Sequence, residues 1–219
     1  MCCYRSVALS IAGGYDLAMS QPSSEPPKRS SARQSALSVA SRLFYENGAR
    51  AVGMEQIVAE SGIAKTTIYR HFANKDALIA AFLQNEDEAF WTQWEDVLAE
   101  RPTGQSAVEA LCRWIGERVS RDRYRGCPQI NLAAEFSDPD HPARRIAAAH
   151  KKEMRHRLEA LCEESGAVAP DRSALAIALL FDGAFTSGTS HAERNLGRLL
   201  TDAAESLLRL PPQPQDGVS

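Results

Sequence analysis

The amino-acid sequence predicts an all-α protein, and three observations carry that reading. Apolar residues recur at three- and four-residue spacing along most of the chain. No strand-like alternation bounded by turn pairs is found. Gly, Pro and Asn fall between the apolar stretches at helix-length intervals, where caps and breaks belong. About nine helices are expected, as an N-terminal three-helix unit of helix-turn-helix spacing followed by a larger helical body.

The first helix starts at Ser31. It sets Ala36, Ala40 and Leu43 on one stripe with Leu37 and Phe44 beside them, and it ends at Gly48 as a C-cap. A short helix is expected over 54–61, a turn at Gly62-Ile63-Ala64, and a second short helix over 65–72. Asn74 is a good N-cap for a long helix reaching about Glu100, with Lys75 and Asp76 in its first turn. Pro102 and Gly104 break the chain. The next helix, within 104–124, turns Val108, Leu111, Cys112 and Ile115 inward. An apolar stretch (126–136) and a loop follow. A long helix over 143–165 lines up Ile146, His150, Met154, Leu158 and Leu161. Helices over 170–193, begun by Pro170 or capped by Asp171, and 195–210 complete the set.

These elements divide the chain into a tail (1–30), a helix-turn-helix domain (31–76), a helical body (77–210) and a C-terminal tail (211–219). The start of the chain resembles a secretory signal only faintly, because Ser10, Gly13 and Gly14 break its apolar stretch. A disordered extension, or a start at Met19, is expected instead. The Pro/Ser-rich segment that follows has nothing to bury.

Composition narrows the class. Of the 219 residues, 24% are charged and 44% hydrophobic, which is ordinary for a globular protein. No run of 18 apolar residues occurs, so no membrane partner is expected. The five cysteines are odd in number and scattered, and a reduced, cytoplasmic setting is expected. The net charge of −3 hides an asymmetry: residues 28–75 hold eight positive and three negative side chains, whereas 76–219 are net acidic. A basic block on an acidic body points to a small module that meets a polyanion.

No nucleophile elbow, P-loop or dinucleotide fingerprint occurs, and His141, His150 and His156 do not stand at i, i+4. No catalytic residue, cofactor or metal is therefore expected. A thiol switch at Cys127, Cys112 or Cys162 is the redox alternative.

Residues 53–82 carry most of the information. Ile57, Val58, Ile63, Ile68 and Phe72 pack the two short helices on the first. The opposite face of the second helix offers Lys65, Thr66, Tyr69 and Arg70, with Thr67 and His71 at its margins. Hydroxyls, a phenol, a guanidinium and an ammonium there suit phosphates and base edges in a major groove.

The segment GIAKTTIYRHFANKDALIAAF resembles the N-terminal domain of the tetracycline-repressor (TetR/AcrR) family of transcriptional regulators. The resemblance runs from about Ser31 to Phe82 and is densest at Gly62-Ile63, Thr67-Ile68-Tyr69, His71-Phe72 and Asn74-Lys75. It implies that Thr67, Tyr69 and Lys75 touch phosphates and that Lys65, Thr66, Arg70 and His71 are candidates for base contact. Three positions depart from the pattern: Thr66 where Gly or Pro is frequent, and Ala64 and Gly53 where hydroxyl caps are usual. Lys28, Arg29 and Arg33 are candidates for a minor-groove arm, although solvated tail charge is the favoured reading.

The same resemblance implies a homodimer that binds a double-stranded, palindrome-like operator and carries a small-molecule effector site in its body. GCPQINLAAEFSDPDHPAR further resembles a subgroup motif in which Gly126-Cys127-Pro128 opens a central helix. Trp91, Trp94, Leu111, Trp114, Asn131, Phe136, Met154 and Phe181 are the candidate pocket residues, with Phe90, Ile115 and Ile130 as further walls and His150 as the alternative polar group to Asn131. The last two helices are the candidate dimer interface through Ala178, Gly183, Ala184 and Gly188, on a helix apolar enough to be buried all round. The expected protein is a repressor whose ligand tilts the long helix and changes the separation of two DNA heads. A DNA-binding protein without ligand control is the further alternative.

Overall fold

The computed structural model describes residues 29–102, 106–191 and 195–212. The expectations for the N-terminal tail, including Lys28, and for residues 213–219 lie outside the described residues, as does the Arg29 side chain. Among the described residues the elements are helical throughout: α1 (Arg29–Asn47), α2 (Met54–Ser61), α3 (Lys65–His71), α4 (Lys75–Glu100), α5 (Ala107–Val119), α6 (Pro128–Glu135), α7 (Pro142–Glu164), α8 (Pro170–Ser187) and α9 (Leu196–Leu207).

The caps follow from the side chains at the helix ends. Asn74 Oδ1 accepts from the Ala77 N–H at 2.8 Å, and Ser106 Oγ accepts from the Glu109 N–H at 3.0 Å. Pro128, Pro142 and Pro170 each open a helix, where their missing N–H costs nothing. The loop after α5 begins five residues before the sequence reading places it, and Arg123 within it takes a left-handed φ of 59°. Likewise α8 stops at Ser187 and passes into a 3-10 turn at Gly188–His191 instead of continuing to 193.

Two apolar cores form. The head core gathers Ala36, Leu37, Ala40, Leu43 and Phe44 of α1 with Ile57, Ile68 and Phe72. The body core gathers α5, α7, α8 and α9 around Phe90 and Trp94. Helix α4 serves both. Its first turns put Leu78, Ile79, Phe82 and Leu83 into the head core, and its later turns put Phe90 and Trp94 into the body core. At 26 residues it is about 39 Å long, enough to bridge the two.

Helices α6 and α7 also reach the head. Leu132 and Ala143 are buried in the head core, and Phe136 and Ile146 pack against it. Deeper in the body, α5 and α9 cross at two glycines: a Cβ on Gly116 would stand 2.2 Å from the Gly197 nitrogen.

Candidate nucleic-acid interface

The α2–α3 pair is held by apolar contacts and one glycine. Gly62 ends α2 in the left-handed conformation (φ 65°), and its N–H reaches the Val58 carbonyl at 3.1 Å. Neither Gly53 nor Ala64 supplies a side-chain cap to the helix it precedes, as their side chains dictate. Ile68 is fully buried and Phe72 nearly so, which fixes the roll of α3 about its axis.

That roll decides what α3 presents. Lys65, Thr66, Tyr69 and Arg70 are exposed, and Thr67 is half-buried. Lys75, at the first position of α4, is half-buried. Two of the exposed cations already have partners: Lys65 Nζ lies 3.0 Å from Glu55 Oε1, and Arg70 donates to Thr67 Oγ1 at 3.4 Å. The Lys65 pair lowers the Glu55 carboxyl and raises the Lys65 ammonium. Being exposed, it exchanges readily for another anion. Arg42 bridges Glu46 and Glu60, and Arg33 lies over the Phe72 ring at 5.2 Å from its centroid.

Of the base-contact candidates, His71 is half-buried. Its Nε2 is buried with no hydrogen-bond partner, because a residue three positions after Ile68 lies beside the buried stripe.

The candidate pocket residues divide differently from the expectation. Trp94, Leu111, Met154 and Phe181 are solid core, each 1% exposed or less, and Trp114 is 7% exposed. Trp91 is half-buried, with the Arg157 guanidinium 4.4 Å from its ring centroid. Phe136 is not with them: it stacks on His141 at 3.6 Å and packs against the head core. Asn131 is exposed and donates to the Arg125 carbonyl at 2.8 Å.

A small void lies elsewhere, a cavity of about 10 Å³ between α4, α5, α6, α7 and α8. Phe90, Phe185 and Tyr124 form its walls, with Cys127 and Pro128 at one side. Glu86, Arg118, Gln129 and His150 are its polar lining. Of this set, helical period places His150 on the inner stripe of α7, whereas Gln129 occupies a core position where an apolar residue is the rule.

His150 is 3% exposed and hydrogen-bonds Asp87 Oδ1 through Nδ1 at 2.6 Å. Trp91 Nε1 donates to the same oxygen at 3.0 Å. Burial holds the imidazole below its ordinary pKa, against the upward pull of Asp87. The three described cysteines are buried thiols. Burial pushes Cys112 to about 12 and Cys162 to about 11, and raises Cys127 as well. Burial thus favours the thiol over the thiolate at all three.

The candidate dimer residues also separate. Gly188 is an intrachain contact, since a Cβ there would meet Val119 Cγ2 at 2.6 Å. Ala178 and Ala184 are half-buried against the body core. Gly183 is exposed with open space before it. It shares a face with Leu175 and Leu179, which are 47% and 63% exposed, and Leu199 of α9 is 57% exposed. Within one chain, then, α8 is not buried all round.

Comparison with known proteins agrees with this geometry. Residues 36–82 match the family described as bacterial regulatory proteins, tetR family. A TetR-family transcriptional regulator from Streptomyces coelicolor superposes with a TM-score of 0.73 at 30% identity, over 81% of this chain and 94% of that one. A TetR transcriptional regulator from Streptomyces avermitilis gives 0.71 at 28%, over 81% and 96%. The Escherichia coli repressor ComR is 28% identical over 60% of this chain, a region that spans 64% of ComR. The Rhodococcus jostii repressor KstR2 is 26% identical over 41% of this chain and 44% of its own length. Among the described residues no helix is long and apolar enough to cross a membrane.

Proposed function

The chain belongs to the TetR family of transcriptional regulators, and on that premise we propose that it is a homodimeric repressor that reads a palindrome-like operator with α3 and leaves it when a small molecule binds the body. The observation that carries the DNA-binding reading is the polar face of α3. Lys65, Thr66, Tyr69 and Arg70 stand exposed opposite the buried Ile68, on a segment with a five-charge positive excess. Repression is the reading because the relatives ComR and KstR2 are named repressors.

Dimerisation is supported by the exposed Leu175–Leu179–Gly183 stripe, an apolar patch that water disfavours and a two-fold partner would cover. A dimer sets its two α3 helices into successive major grooves about 34–36 Å apart. An effector that favours a different separation releases the DNA.

Selection from random duplexes by the purified full chain tests the reading. It should enrich an inverted repeat whose half-sites lie one helical turn apart. Its affinity should fall steeply with salt, as several phosphate contacts per subunit require. Enrichment of no symmetric site would refute the proposal.

A further inference from the structure

The cavity between α4 and α8 has a defined chemistry at its inner end. Gln129 is 2% exposed; its Nε2 donates to the Leu83 carbonyl at 3.0 Å, and its Oε1 is buried without a partner. A carboxylate accepts only, so the bond to Asp87 places the proton of His150 on Nδ1. Nε2 of the neutral ring is then a lone pair, and it too is buried without a partner. Both residues line one small void, and buried acceptors are costly to leave unpaired.

We propose that this cleft is the effector site and that it selects a small, uncharged, flat apolar compound by one hydroxyl or N–H group, which donates to Gln129 Oε1 or to His150 Nε2. The proposal rests on the reading of the chain as an effector-controlled regulator. A void of about 10 Å³ takes one water-sized group, which is the anchor and not the whole ligand. The body of the ligand follows the half-buried Tyr124 toward the surface, past the Phe90 and Phe185 rings. Phe90 and Phe185 stand 6.2 Å apart at 73°, an apolar corner suited to a ring edge.

Charge at the rim argues against an anionic effector. Arg118 is engaged, donating to Gln93 Oε1 at 2.9 Å and lying over the Phe90 and Trp114 rings at 5.7 and 5.8 Å. Glu86 shares the lining, and the two inner acceptors repel a carboxylate. The neutral state of His150, favoured by burial, keeps Nε2 an acceptor.

The test uses the full chain without DNA and matched probes: phenol, benzyl alcohol and indole against anisole, benzyl methyl ether and N-methylindole, with benzoate as the anion. Binding is read by tryptophan fluorescence, since Trp114 lies 5.2 Å from Phe90, and by the ¹⁵N shifts of the histidine rings. The His150 signal is the one missing from His150→Gln. At least one donor probe should bind about tenfold more tightly than its methylated partner, the factor that ~1.4 kcal/mol sets, and should move the Nε2 resonance. Equal affinity within every pair, an unmoved Nε2 with all donor probes, or binding of benzoate alone would overturn the proposal. The affinity ratios come from the wild-type chain, so they decide even if His150→Gln does not fold. Operator selection is scored separately. A donor-selective site in a chain that enriches no operator would refute the regulator reading and leave this site standing. An operator-binding chain that shows no donor preference would refute this site alone.

Discussion

The carboxylate of Glu135 occupies the space that a side chain on Gly48 would need. Gly48 ends α1 in the left-handed region (φ 83°), and a Cβ there would stand 2.9 Å from Glu135 Oε1. From that position Glu135, at the end of α6, accepts from the N–H of Ala49 at 2.9 Å and of Arg50 at 2.6 Å, while Arg50 Nη1 donates to the Glu135 carbonyl at 3.0 Å. The other end of α6 is tied to α1: the Tyr45 hydroxyl accepts from the Arg125 N–H at 2.9 Å and donates to the Gly126 carbonyl at 3.4 Å. Thus α6, which lines the cavity through Cys127 to Gln129, is tied on both sides to the head, through Tyr45 of α1 before it and through the turn that follows α1 at its end.

Glu135→Gln should therefore loosen the head. The amide turns an N–H donor on at least one backbone N–H, and hydrogen bonds to a charged group contribute about 1.5–3 kcal/mol. All three tryptophans lie in the body, so fluorescence reports the body and far-ultraviolet dichroism reports the whole chain. In urea the dichroism of the variant should begin to fall before its fluorescence changes. Coincident transitions at the wild-type midpoint would show that the latch contributes nothing.

Leu179→Glu should give a monomer. Leu179 is 63% exposed in the single chain, so the change strains nothing within it but puts charges against the proposed two-fold contact. Sedimentation equilibrium should show the subunit mass with helicity retained, and operator affinity should fall with it. A dimeric Leu179→Glu protein would place the interface elsewhere.

Most of the fold was legible in the sequence, because long helices report their inner faces through period alone. Ala36, Ala40 and Leu43 in α1, and Val108, Leu111, Cys112 and Ile115 in α5, are all buried as their spacing requires. The polar face of α3 was legible for the same reason, since burial of Ile68 and Phe72 dictates what faces out. The cavity was not. Its polar residues come from α4, α5, α6 and α7, so no local pattern joins them. The aromatic residues that drew attention, Trp94 above all, fill the core instead of lining a void. Nor does composition tell a helix face buried in its own chain from one a partner would cover: Gly188 meets Val119, whereas Gly183 is open.

Substitutions on α3 should separate reading from holding. Lys65→Ala and Arg70→Ala should each shift base preference by about 1–3 kcal/mol at one position of the half-site, whereas Lys75→Ala should weaken all sequences alike. His71→Ala should leave the preferred sequence unchanged, because its Nε2 faces the interior. Glu55→Gln frees Lys65 from its ion pair and should tighten DNA binding at low salt. These are read by repeating the duplex selection with each variant; a changed consensus for His71→Ala would keep that residue in the base-reading set.

The last expectation concerns pH. His150 is buried, and its imidazole is held below the ordinary value of 6.5 because burial outweighs the pull of Asp87. Glu86 and Asp87 of α4, Arg118 of α5, neighbouring Lys151 and Asp182 of α8 surround it, and Lys151 and Asp182 pair with each other. Between the folded value and about 6.5 the unfolded chain binds more protons at this residue than the native one does. Stability conferred by the neutral ring is thus fully present above about 6.5 and is lost as pH falls through the folded value, with a slope of at most ~1.4 kcal/mol per pH unit from one proton. His150→Gln removes that titration. It should lower stability at pH 7.5, where the Asp87 bond is lost, yet its stability should fall less steeply than the wild type's as pH drops from 7 toward 5. Urea midpoints across that range measure the difference. Parallel profiles for the two proteins would mean that His150 titrates in the fold as it does in the unfolded chain, and the neutral acceptor at Nε2 would go with it.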